Sequence, residues 1–181
     1  MIKSKVDRRK PSAPSVEDML DGGDRRSLGQ VSRLVARVRR NPALLPQIIA
    51  ALRSPRPLVA MRAADAVEKI SRRRADSLVP YRRRLINATV RTHDPVARWN
   101  LIQCLPRLEF GRPAAMRLAR RMEVWYLTDQ SAIVRTSALD ACVALARQEP
   151  AIEPIAERLV SKALTAPSPA VRARARRLVR A

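Results

Sequence analysis

Glycine, aromatic residues and acidic residues are all scarce in this chain of 181 residues, and each shortage excludes something. Four glycines, with no run of alternating apolar and polar residues, leave little room for sheets and tight hairpins. Aromatics make up 3% of the chain while hydrophobic residues make up 46%. The core must then be thin and built from Ala, Leu, Val and Ile. Two cysteines do not make a disulfide framework. Cys142 reads as a core residue and Cys104 as lying at the core's edge. The single histidine, His93, sits before Asp94-Pro95, without the neighbouring His, Cys or carboxylate ligands that a structural zinc site requires. No phosphate loop, dinucleotide fingerprint, hydrolase triad or metal-binding pair is visible, so no cofactor and no metal are expected. No segment approaches the length needed to span a membrane. The basic opening "MIKSKVDRRKPSAPS" is not followed by an apolar stretch. A cytoplasmic, reducing location is the corresponding expectation.

What the chain does contain is a repeat. "PVARWNLIQCLPRL", "AIVRTSALDACVAL" and "PAVRARARRLVRA" recur at intervals of 37, and "PLVAMRAADAVEKI" begins 38 residues upstream of the first. Periods in this range mark helical arrays whose units bury their apolar faces only against one another. Aligned on Pro57, Pro95, Ala132 and Pro169, one column holds Ala63, Leu101, Ala138 and Ala175. A second holds Val67, Leu105, Cys142 and Val179, and a third Ile70, Leu108 and Leu145. These offsets share one face of a helix, and proline suits its first position. Upstream of each anchor, Leu52, Val90, Leu127 and Leu164 form one column. Ile48, Ile86 and Val160 form another, with Glu123 as the exception. The pattern predicts first helices over 42–53, 76–91, 113–127 and 151–165, with Gly111 as a helix-ending glycine. Leu28, Val31, Val35 and Val38 predict a half-unit ahead of the first hairpin. Residues 1–26 lack periodicity and read as a disordered tail, in which "SVEDMLDGGD" suits a short helix. The folded domain is then 27–181.

These columns, with "MRAADAVEKISRR", "ARWNLIQCLPRL" and the Val134-Arg135 and Val171-Arg172 steps, resemble the HEAT-repeat family over most of residues 42–181. The resemblance implies an all-α, right-handed solenoid of about four helical hairpins (armadillo-type), with second helices lining a concave side. It implies that Arg98, Arg135 and Arg172 stack along the array and bond to inter-helix turns, with Asp94 and Asp129 as acceptors and Ala60 breaking the series. It implies no chemistry.

Charge carries the functional expectation. Lysine and arginine total 37 against 16 acids, a formal net charge of +21. Such an excess favours a polyanionic partner: nucleic acid, an anionic membrane surface or an acidic protein. Two faces are candidates. An outer stripe on the first helices comprises Arg84, Arg121 and Arg158, with Arg83, Arg91, Arg117 and Lys162 nearby. On the second helices, off-core positions hold Arg62, Lys69, Trp99, Asn100, Gln103, Arg107, Arg174 and Arg177, with Arg62 and Trp99 placed to form a cation–π platform. The leading expectation is a non-catalytic scaffold that binds an anionic macromolecule, nucleic acid first. The alternative is an adaptor holding an acidic protein or peptide in the concave groove. A third reading is a HEAT-like DNA glycosylase using Asp65 or Asp140 beside Trp99.

Overall fold

The computed structural model describes residues 14–27 and 29–180, and among them every regular element is helical. Leu28 and the first 13 residues, part of the expected tail, lie outside the described residues.

Each anchor opens a helix as expected. These second helices are α4 (Pro57–Arg74), α6 (Pro95–Cys104), α8 (Ala132–Ala146) and α10 (Pro169–Val179). Proline at the first position lacks an N–H that the first turn would leave unpaired in any case. Asp94 caps α6 by accepting from the amides of Val96 and Ala97 at 2.8 and 3.0 Å. Before each second helix comes a first helix: α3 (Leu45–Ala51), α5 (Arg82–Arg91), α7 (Arg112–Thr128) and α9 (Glu153–Leu164). All but α7 are entered through a 3-10 turn, at Pro42–Leu44, Ala75–Tyr81 and Pro150–Ile152. Upstream lie α1 (Val16–Leu20) and α2 (Val31–Arg40). The second helices pack side by side in chain order, α2 against α4, then α6, α8 and α10. Each first helix packs on the second helix of its own hairpin.

The second-helix columns form the core. Ala63, Leu101, Ala138 and Ala175 are buried, as are Val67, Leu105, Cys142, Ile70, Leu108 and Leu145. Leu105 is fully enclosed, so Leu105→Ala is expected to lower unfolding stability by about 2–5 kcal/mol in a denaturant titration.

Several expectations need correction. Val90, Leu127 and Leu164, read as a core column, are 42%, 47% and 37% exposed. The first helices instead bury the neighbouring positions Ala51, Thr89, Tyr126 and Ala163, together with Leu85, Met122 and Leu159. Val179 is 64% exposed, because no further helix among the described residues covers the end of α10. Cys104 is fully buried rather than at an edge. Gly111 is the N-cap of α7, not the end of α6, which stops at Cys104 and passes into a 3-10 turn around Pro106.

The boundary expected at residue 27 also moves. Ser15 and Asp18 form a capping box that starts α1, and Val16, Met19 and Leu20 are buried against α2, α3 and α4. Residues 14–27 and Gly29 form an arm docked on the first hairpin. Gly22, Gly23 and Gly29 take positive φ to turn it.

Candidate nucleic-acid interface

The side chain that organises the arm is Arg62, expected on the concave surface and found with no exposure at all. Its guanidinium spends all five N–H groups on main-chain carbonyls of the arm. Nε and Nη2 donate to Ser27, Nη1 to Leu20 and Gly22, and Nη2 also to Asp24, at 2.5–3.1 Å. Gly29 lies so close that a Cβ would stand 3.0 Å from the guanidinium. Arg62 is thus a clamp for the arm, away from ligands and from any platform with Trp99, which is half-buried.

Most of the other second-helix candidates are also committed. Lys69 pairs with Asp65 at 2.6 Å, one helical turn away, and Arg174 with Asp140 at 2.5 Å. Arg107 donates to Glu68 at 2.9 Å and to Ser71 at 2.7 Å. Glu68 is only 1% exposed and also binds Arg72, so Arg107 neutralises a buried carboxylate across adjoining hairpins. Asn100 is buried, Gln103 half-buried, and Arg177 is exposed. Asp65 and Asp140, the acids singled out for a glycosylase, are thus the partners of Lys69 and Arg174.

The spaced arginines also bond inward. Arg98 reaches Asp129 at 2.6 Å and the carbonyls of Thr89 and Thr92. Arg135 donates to the Tyr126 carbonyl at 3.2 Å with its guanidinium 5.7 Å from the Tyr126 ring centre. Arg172 donates to Ala166 and Pro167. Asp94 instead pairs with Arg25 of the arm.

The first-helix face is different. Arg84, Arg91, Arg117, Arg121 and Lys162 are exposed, and among the described residues none has an ion-pair partner or a side-chain hydrogen bond. Arg158 is the exception, pairing with Glu123 at 2.6 Å. Glu123 is the residue that interrupted its apolar column. Arg83 is exposed as expected, and sequence reasoning overlooked one further exposed arginine of this face, Arg120. It also overlooked Arg53, which, with Arg84 and Arg91, lines a groove of about 830 Å³ between α3 and α5.

Burial pushes both thiols up to about 12, so Cys104 and Cys142 are held protonated rather than as nucleophilic thiolates. Among the described residues there is no cluster of His, Cys, Asp or Glu able to hold a metal ion, and no helix is long and apolar enough to cross a membrane.

No family model matches this chain, and neither a curated protein nor a solved structure matches it. The expected likeness to HEAT repeats gains no support from these comparisons.

Proposed function

We propose that this chain is a non-catalytic, right-handed HEAT-like solenoid scaffold whose first-helix face binds nucleic acid through the phosphate backbone. The observation that supports this reading is the unequal commitment of the two faces. Lys69, Arg107 and Arg174 face acids at 2.5–2.9 Å and Arg62 is buried, while Arg84, Arg91, Arg117 and Arg121 are exposed and unpaired among the described residues. A guanidinium already paired with a carboxylate gains little from a phosphate, whereas an unpaired one releases the phosphate's counterions on contact. Aromatic side chains contribute little to this face. Trp125 and Tyr126 are buried, and Phe110 lies beneath Arg82, 5.8 Å from its guanidinium. Without a stacking platform, contact with phosphates favours a duplex over a single strand and carries little sequence preference.

The second reading, an adaptor for an acidic peptide, draws on a smaller groove of about 320 Å³ between α2 and α4, where Arg39 and Arg73 flank Val35 and Ala36. Pull-down from lysate with and without nuclease tests the choice. The proposed function expects every captured partner to disappear after nuclease. A discrete protein retained after nuclease would overturn it in favour of the adaptor.

A further inference from the structure

The groove between α3 and α5 exists because one rung of the arginine series is missing. In the later hairpins, Arg98, Arg135 and Arg172 stand at the fourth position of the second helix and turn back onto carbonyls of the preceding inter-helix turn. In the first hairpin that position is Ala60, whose small side chain leaves the space beside Leu52, Arg53 and Ser54 open. The acid that a rung at position 60 would reach, Asp94 in the next turn, is already paired with Arg25. The opening is therefore not filled by an arginine of its own layer.

The walls of the groove turn this opening toward anions. Arg53 and Arg91 occupy the same position in successive repeats, four residues before their anchors, where the later repeats have Thr128 and Thr165. Arg84 joins them from about two turns earlier on α5. Asn87 and Thr92 add neutral hydrogen-bonding groups, Ser54 is already engaged in donating to Glu17, and Leu52, Ala60 and Ala88 supply an apolar floor. Among the described residues no acidic residue lines the groove. Three arginines without ion-pair partners among the described residues therefore converge where the chain's own guanidinium is absent.

We propose that this groove seats the sugar–phosphate backbone of a nucleic-acid strand, with phosphates against Arg53, Arg84 and Arg91 and sugars on the floor at Ala60 and Ala88. This inference rests on the nucleic-acid reading and adds its anchoring point. Phosphate is the group that guanidinium forks recognise most directly, and the volume lies within the range of ordinary ligand pockets.

Restoring the missing rung provides the test. Ala60→Arg adds a positive charge but fills the groove in the manner of the later hairpins, and Ala60→Met fills it without charge. Each is compared with the unaltered protein by thermal denaturation and by anisotropy titration of a short fluorescein-labelled DNA duplex. The groove reading expects both variants to stay folded and to bind on the order of tenfold more weakly, as when about two phosphate contacts are lost. Unchanged or tighter binding by a folded Ala60→Arg would overturn the groove while leaving the basic face standing. If that variant fails to fold, unchanged binding by Ala60→Met has the same force. Absence of salt-sensitive duplex binding by the unaltered protein would overturn both readings.

Discussion

Arg62→Ala is expected to lower stability by about 3–5 kcal/mol and to release the arm formed by residues 14–27 and Gly29. The fully buried guanidinium satisfies the carbonyls of Leu20, Gly22, Asp24 and Ser27. Its removal leaves those acceptors dry or forces the arm to open and hydrate them, and the loss of a buried charged partner lies in this range. Opening would also expose Val16, Met19 and Leu20, the arm's own apolar residues, which pack on α2, α3 and α4. Lysine is not a substitute, because it has three donors on a point charge where the site uses five in a planar fork. Limited trypsin digestion makes the local event visible, since Arg25 and Arg26 lie within the arm. Faster cleavage there, with a lower thermal midpoint, is the expected result. An unchanged midpoint and cleavage rate would show that the clamp contributes nothing.

The sequence made the second helices legible because their buried columns are nearly uniform in Ala, Leu and Val and start at a proline or an equivalent residue. The first helices were legible as elements, and Ile48 is buried as expected, but in α5, α7 and α9 the buried face lies one position from the expected one. Val90, Leu127 and Leu164 looked like a core column, whereas the buried positions beside them hold Ala51, Thr89, Tyr126 and Ala163, which share no common hydrophobicity. The short helix in "SVEDMLDGGD" is present as α1, but its docking escaped detection: five residues are too few to show a period, and the arm's main tie is an arginine bonding to carbonyls that carry no sequence signature. The pairing of cations had a usable signal. Lys69 and Asp65 stand one helical turn apart, and Arg107–Glu68, Arg158–Glu123 and Arg174–Asp140 are separated by 39, 35 and 34 residues, close to one repeat. In these three inter-repeat pairs the acid lies about one repeat upstream of its arginine. Arg84 has no acid at those separations upstream, and Arg121 has only Glu123 and Asp129 close by in sequence.

That distinction yields the second large effect, a comparison of two triple variants that remove the same charge from opposite faces. Replacing Arg84, Arg117 and Arg121 with Ala strips exposed, unpaired cations, so the fold is expected to hold while duplex affinity falls about equally for all sequences. The slope of log K against log salt should flatten by roughly 2 to 3, at about 0.9 per lost phosphate contact. Replacing Lys69, Arg107 and Arg174 instead removes partners from Asp65, Glu68 and Asp140. Glu68 is 1% exposed, so its carboxylate would keep Arg72 alone, and the expected cost is stability, on the order of 1–3 kcal/mol. Its effect on the salt slope should be small, because those cations were neutralised before any phosphate arrived. Equal loss of slope in the two variants would mean that net charge alone drives binding. A larger loss in the second would move the interface to the second helices, where Arg177 and the groove beside Arg39 and Arg73 would carry it.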